Sequence, residues 1–534
     1  MGPHASHHIV SSGVALTIFQ DSGNSEDAEL VALLSLLASL SLVPNMLESI
    51  SSFLVRYLTW PVVAFLAACF PQLPWLRKHL IPSIYTSGSQ SVELMTKRRG
   101  SDERVVNESM RRMDSIEEFV RLKCPSLRKP FEPPWQLPNG HAQTINSAFA
   151  DYSDVDPIEY DRTLLQLQDG GQIGLDFTPR KSAHGPELDP KTPTIVMAHG
   201  LTGGSYESYI RCILAIACKP KSEGGFGYRA VVVNFRGCAG VKLKTYQVFS
   251  PGYTDDFRTA LLYISTLYPE APLIGVGYSF GGSVVARYVG EEGTRSRLKA
   301  ACSLGCPWDL VNEDTRLDNS FLLRNVYSTA MANNVVALMK ENLESIKEGP
   351  AIPPYYNLFD LLAMPRPTFH DITEILTSKV GGHPSSGFPF DNAKSFCEWA
   401  SARRLIPNIR VPFLIINAVD DPCVDYIPYD AIDKNGWVAM VTTAHGGHLG
   451  WFERDRYSVK DGRRLHKRWF RKPVLEWLQA CAEDLVDVRV PERSGSVEGD
   501  DGWVTQMDNQ LISYKVIGSG MKARENDAGV MSGL

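Results

Sequence analysis

Three short stretches, far apart in the chain, hold residue types that could together activate a hydroxyl. Gly277-Tyr278-Ser279-Phe280-Gly281 sets a serine between glycines. Asn417-Ala418-Val419-Asp420-Asp421-Pro422 ends in two carboxylates, and Ala444-His445-Gly446-Gly447-His448 offers two imidazoles. A serine oxygen is a weak nucleophile until a base accepts its proton. An imidazole does so best when an acid fixes its tautomer and stabilises its charged form. The chemistry open to such a set is attack on a carbonyl, which builds negative charge on the carbonyl oxygen. Two backbone N–H groups must already point where that charge develops. Phe280, directly after the serine, supplies one; Leu201, in the glycine-flanked run His199-Gly200-Leu201-Thr202-Gly203-Gly204, supplies the other.

Within each pair the local sequence favours one member. Asp421 immediately precedes a proline at the loop tip and is the preferred acid; Asp420 is the alternative, better suited to bonding the loop backbone. His448 is preferred to His445 because the glycine pair lets the chain return toward the serine. His445-x-x-His448 has the spacing of a metal-binding pair, but no third ligand accompanies it, so neither metal nor other cofactor is expected. His141, in Asn139-Gly140-His141-Ala142-Gln143-Thr144, has no patterned partner and reads as a structural histidine in an irregular, proline-stiffened segment.

These loops need a scaffold that ends strands where they begin. Glu159–Gln168 and Gln172–Phe177 read as a hairpin about Asp169-Gly170-Gly171. Pro193–Ala198, Tyr228–Asn234 and the run ending at Ser279 read as strands, with helices over Ser205–Cys218 and Pro251–Leu267 between them. The run from Val411 that ends in the carboxylates at Asp420-Asp421-Pro422, and Trp437–Thr443, add two more. Alternating strands and helices predict a mostly parallel central sheet covered by helices on both faces. In such sheets reactive groups gather at the carboxyl ends of strands. Between about 307 and 404 the strand pattern stops and helical runs take over, as expected of a lid insertion. Leu465–Ala482 reads as a helix closing the sheet edge, and residues 484–534 as a loose tail.

A formal net charge of -6 and the lack of a basic stripe exclude nucleic acid as a partner. The ten cysteines are scattered, as in a reducing, intracellular compartment. Residues 1–90 hold two uncharged apolar runs, Leu30–Leu47 and Tyr57–Leu76, followed by Arg77, Lys78, Lys97, Arg98 and Arg99. They read either as membrane-associating segments, with the catalytic domain on the cytosolic side, or as helices packed on the core.

Together the His199–Glu207 run, Asn234-Phe235-Arg236-Gly237-Cys238, Gly277–Gly281, Asn417–Pro422, Gly446-Gly447-His448 and Asn139–Thr144 resemble the YheT-like family of α/β-hydrolases over roughly Phe131 to Ala482. That family includes bacterial esterases, membrane-anchored mammalian lipid hydrolases, and fungal medium-chain alcohol O-acyltransferase/esterases, the group this sequence looks most like. The resemblance implies an α/β-hydrolase fold over 151–483 behind a family-specific extension over 91–150. It implies Ser279 as nucleophile, Asp421 as acid and His448 as base. It further implies a small-molecule ester or acyl-CoA substrate, with water or an alcohol as acceptor and medium-chain acyl groups as the leading choice. A hydrolase or acyltransferase dedicated to natural-product assembly, and a non-catalytic lipid-binding protein, stay open beside it. Phe396-Cys397-Glu398-Trp399 departs from the Tyr-Tyr pair found there in relatives, so the pocket wall need not be shared. The H-x-x-x-x-D pattern of some acyltransferases is absent, Glu453 standing at its last position.

Overall fold

The computed structural model describes residues 80–97, 111–181, 188–351, 353, 356–460, 463–489 and 494–523, all within one compact unit, Ala67–Leu534. The apolar runs Leu30–Leu47 and Tyr57–Leu76 lie outside the described residues, as does the basic pair Arg98 and Arg99. Among the described residues no helix is long and apolar enough to cross a membrane.

A twelve-stranded sheet organises the unit. In chain order its strands are β1 (Ser83–Thr86), β2 (Asp161–Leu167), β3 (Gln172–Thr178), β4 (Thr194–Ala198), β5 (Arg229–Asn234), β6 (Leu273–Tyr278), β7 (Leu298–Leu304), β8 (Phe413–Ala418), β9 (Val438–Thr443), β10 (Ser496–Glu498), β11 (Val504–Gln506) and β12 (Asn509–Lys522). Across the sheet the order is β1-β9-β8-β7-β6-β4-β5-β3-β2-β12-β11-β10. The six strands from β9 to β5 run parallel, and the remaining pairings are antiparallel. Every residue of β4, β5, β6, β8 and β9 is buried. That is why their centres, such as Ile195 to Ala198, Ala230 to Val233 and Phe413 to Ile416, read as apolar runs rather than alternating ones.

Successive residues of these strands feed two separate cores. Val196, Val231, Val233, Ile415 and Met440 pack on one face. Their neighbours Ile195, Met197, Val232, Ile416 and Val441 pack on the other. The first face is covered by α4 (Asp255–Leu267), α5 (Phe280–Glu292) and the helices inserted between β7 and β8. The second is covered by α1 (Ile116–Lys123), α3 (Ser208–Ala217) and α9 (Arg471–Gln479). The insertion holds α6 (Leu310–Asn319), α7 (Thr329–Lys347, entered through a π turn at Arg324–Ser328) and α8 (Ala393–Ala400). This is the expected α/β-hydrolase fold with a helical lid.

Four expectations need correction. The segment after 484 is not a loose tail, because β12 lies along β2 with Tyr514 opposite Leu167 and Lys522 opposite Asp161. Ile512 and Tyr514 are buried while Val516 and Ile517 stay exposed, so the apolar signal of this outer strand is diluted. Leu465 does not begin a helix: Arg463–Arg468 is a strand paired with Phe452–Lys460, and the helix starts at Arg471. It covers a face of the sheet, whose edges are β1 and β10. Asn139–Thr144 is not irregular but opens α2 (Gly140–Phe149), where Asn139 Oδ1 caps the Ala142 N–H at 3.0 Å. Finally, residues 83–86 of the supposed apolar N-terminal segment form the edge strand β1 beside β9.

Candidate active site

Ser279 stands between β6 and α5 with φ 50° and ψ −118°, a backbone conformation that a side chain rarely adopts. Its N–H donates to the Leu304 carbonyl at 2.8 Å, and its own carbonyl accepts from Gly282 N–H, also at 2.8 Å. The glycines beside it are required by crowding. A Cβ on Gly277 would collide with the Gly281 carbonyl, and one on Gly281 with the Ala198 carbonyl. The turn therefore lifts the hydroxyl clear of the strand end at the start of a helix.

His448 Nε2 lies 2.7 Å from Ser279 Oγ, and His448 Nδ1 lies 2.8 Å from Asp421 Oδ2. Asp421 is buried, and its other oxygen accepts the N–H groups of Cys423 and Val424 at 2.7 and 3.0 Å. A carboxylate so held keeps its acceptor edge toward Nδ1, which puts the proton there and leaves Nε2 free to accept from the serine. Asp420 points elsewhere: its Oδ1 accepts the Gly447 N–H at 2.9 Å, and its Oδ2 is 3.5 Å from His445 Nδ1. Hydroxyl, imidazole and carboxylate thus form a row that can pass a proton from Ser279 to His448 with Asp421 behind.

The loop after β4 closes the other side. A Cβ built on Gly200 would stand 3.7 Å from Ser279 Cβ, so this loop runs alongside the serine. Gly200 N–H donates to Tyr209 Oη at 3.0 Å. His199, fully buried, donates from Nδ1 to the Gly200 carbonyl at 2.7 Å and accepts Phe235 N–H at Nε2 at 3.3 Å. Burial lowers its pKa to about 4 against the opposing bond to Gly200, so the ring is neutral and both nitrogens are used in one tautomer. Leu201 and Phe280 border the same cavity as Ser279 and His448. Phe280 is the first residue of α5, whose opening N–H groups have no acceptor within the helix.

Sequence reasoning missed the part played by α2. Its buried face is polar, and it holds the histidine loop from behind. Thr144 Oγ1 accepts the His448 N–H at 2.8 Å while donating to the Gly140 carbonyl at 2.6 Å. Gln143 Oε1 accepts Phe452 N–H at 2.7 Å, and Ser147 Oγ donates to the Leu449 carbonyl at 3.1 Å. A Cβ on Gly140 would run into the Asp420 carbonyl, and one on Gly447 into the Gly140 carbonyl. The acid loop, the histidine loop and α2 therefore meet where no side chain fits. His141 Nδ1 shares a 2.6 Å hydrogen bond with Tyr327 Oη, tying α2 to the lid. An Asn-capped polar segment before the hydrolase core is the signal that could have found it.

The cavity beside Ser279 is walled by lid side chains, among them Leu317, Met331, Val335, Met339, Ile372 and Leu376. Phe396 and Cys397, where the family pattern is broken, line it too. Among the described residues, the grouping of three potential metal ligands within 4.8 Å is Asp421, Cys423 and His448. Two of these already belong to the row, so a metal there would compete with it.

Residues 195–459 match the alpha/beta hydrolase family. The fold and the geometry at the ends of β4, β6, β8 and β9 agree with that match. The chain has the α/β-hydrolase fold. Among curated proteins, this α/β-hydrolase is similar to the monoacylglycerol lipase of Saccharomyces cerevisiae, 27% identical over 65% of this chain and 80% of the relative. It is similar to the medium-chain fatty acid ethyl ester synthase/esterase 2 of the same yeast, 29% identical over 70% of this chain and 90% of the relative. It is also similar to human Phospholipase ABHD3, 28% identical over 64% and 78%.

Two buried carboxyls near the site give the α/β-hydrolase a measurable pH signature. Burial pushes Glu207, at the start of α3, up to about 8, with Arg468 and Arg211 opposing. Burial likewise pushes Glu313, in α6, up to about 8, against backbone N–H groups and Arg316. Each holds its proton more tightly folded than unfolded, where the carboxyl value is 4.5. Their contribution to stability is therefore complete below that value and is lost as pH rises through about 8. Within that window each group lowers the unfolding free energy by up to about 1.4 kcal/mol per pH unit. Glu207→Gln removes one titration, so its urea-unfolding free energy should fall less steeply with pH than that of the wild type, by on the order of 1 kcal/mol per unit. Parallel slopes for the two proteins would refute the assignment.

Proposed function

We propose that this α/β-hydrolase is a serine esterase that cleaves carboxylic esters through an acyl-serine intermediate. Ser279 Oγ attacks the carbonyl carbon as His448 Nε2 takes the hydroxyl proton. The N–H groups of Leu201 and Phe280 hold the oxyanion, and Asp421 stabilises the imidazolium. Collapse breaks the ester bond, and the leaving alcohol departs with the proton from His448. Water, deprotonated by His448, then frees the acid. An alcohol in place of water yields a new ester, which makes the same site an O-acyltransferase when the donor is an acyl thioester.

The observation that carries this reading is the 2.7 and 2.8 Å row at the head of an apolar cavity. The described residues lining that cavity are mostly apolar, with Glu313 and Asp314 in its wall and no lysine or arginine among them, which favours a neutral acyl chain as its occupant. Medium-chain acyl groups lead, supported by the yeast ethyl ester synthase/esterase among the relatives. Membrane attachment through the N-terminal apolar runs, with the catalytic domain intracellular, belongs to the same reading.

A fluorophosphonate probe should label the protein on the peptide carrying Ser279. Mass spectrometry of products from p-nitrophenyl esters, graded from acetyl to palmitoyl, should show hydrolysis peaking at intermediate lengths. Supplying acyl-CoA with ethanol separates transfer from hydrolysis. Absence of the label, or its mapping to another serine, would end the proposal.

A further inference from the structure

The loop that carries Asp421 has no regular element of its own before Tyr429, so side chains must satisfy its backbone. Asp421 Oδ1 takes the N–H groups of Cys423 and Val424. The next two N–H groups, of Asp425 and Tyr426, both go to Glu313 Oε1, at 3.0 and 3.2 Å. The Pro422 carbonyl accepts from Arg316 Nη1 at 2.8 Å, and Arg316 Nε lies 3.8 Å from Asp425 Oδ2. Glu313 and Arg316 stand three residues apart on α6, hence on one face of it.

That helix is itself fixed to the strand ends. Trp308, fully buried just before it, donates from Nε1 to Asn417 Oδ1 at 3.3 Å. Asn417 Nδ2 in turn donates to the Cys306 carbonyl at 3.3 Å. Asp309 caps the helix through Asn312 N–H at 3.3 Å and meets Arg403 Nε at 3.1 Å. The first lid helix is therefore rooted in the same strands that carry Asp421.

We propose that Glu313 and Arg316 are positioning residues, and that α6 is a clamp which sets the Asp421 carboxylate against His448. The inference rests on the Ser279–His448–Asp421 reading above. Oε1 of Glu313 accepts both N–H groups that follow the pair bound by Asp421. Losing it removes the acceptor that pins two consecutive, part-buried N–H groups of the loop to α6 and frees the loop to swing the carboxylate. Displacements near 1 Å at a reacting constellation cost on the order of a hundredfold. Glutamine keeps an acceptor oxygen at that place; leucine does not.

Glu313→Leu should lower kcat by about ten- to a hundredfold with KM changed less than about threefold. The downfield proton resonance of His448 Nδ1–H should weaken or move upfield. Glu313→Gln should restore both readouts to near wild type, and Arg316→Met should move them the same way as leucine, by less. A leucine variant with wild-type kcat, KM and resonance would overturn the clamp. So would one that loses only thermal stability while its folded fraction turns over normally. Should the leucine variant fail to fold, Arg316→Met decides on the same two readouts. If Ser279→Ala still turns over ester, the underlying reading fails; if it is dead and the position 313 and 316 variants are normal, only the clamp fails.

Discussion

Replacing Ser279 with alanine is expected to lower ester turnover by roughly three orders of magnitude or more and to abolish fluorophosphonate labelling, with the fold unchanged. The hydroxyl bonds His448 Nε2, whereas the backbone bonds that shape the turn come from the N–H and carbonyl of the same residue. Alanine meets the left-handed φ of 50° with the same Cβ that serine has, so no new strain enters. Whatever activity persists would come from the N–H groups around the oxyanion and from binding in the apolar cavity. Circular dichroism and thermal melting should overlay those of the wild type. Turnover within about tenfold of wild type would remove Ser279 from the reaction.

The second large effect separates two adjacent carboxylates. Asp421→Asn should cost on the order of a thousand- to ten-thousandfold in kcat, the scale seen when such an acid becomes an amide. The amide oxygen would keep the N–H groups of Cys423 and Val424, which turns the NH₂ toward His448 Nδ1. That nitrogen then has to accept, its proton moves to Nε2, and the ring can no longer take the serine's proton. Asp420→Ala acts differently, because Asp420 bonds the Gly447 N–H. Its loss leaves one loop donor without its acceptor, worth about 1–3 kcal/mol, and should weaken activity by about tenfold. A larger kinetic loss at 420 than at 421 would reverse their roles.

The row of Ser279, His448 and Asp421 was legible because each position depends on local backbone. Glycines flank Ser279 for a steric reason written beside it, and the apolar runs of β4, β6 and β8 announce strands buried on both faces. The supports behind them were not legible. The face that α2 turns inward carries Gln143, Thr144 and Ser147, since its task is to bond backbone of the histidine loop, and apolar periodicity cannot register that. Strand β12 buries Ile512 and Tyr514 but sets lysines and glycines between them and the rest, so it reads as solvated chain. The run before α9 reads as part of that helix because Leu465 and Trp469 fall at helical spacing. In each case the partner that decides the structure lies more than a hundred residues away or on an element without a recognisable pattern. The preference for Asp421 over Asp420 came from the neighbouring proline alone, and the two side chains do take different partners.

The place of β12 bears on how the molecule comes to be made. The ribosome delivers this strand after the other eleven of the described sheet, yet β2, synthesised hundreds of residues earlier, has no other neighbour on that side among the described residues. Until translation reaches Asn509, the outer amides and carbonyls of β2 are a bare ribbon, the kind of rim on which one nascent chain recruits another. A message interrupted by a stop codon ahead of that point would still encode Ser279, Asp421 and His448, but its product would emerge sticky along that rim and become work for chaperones and proteases.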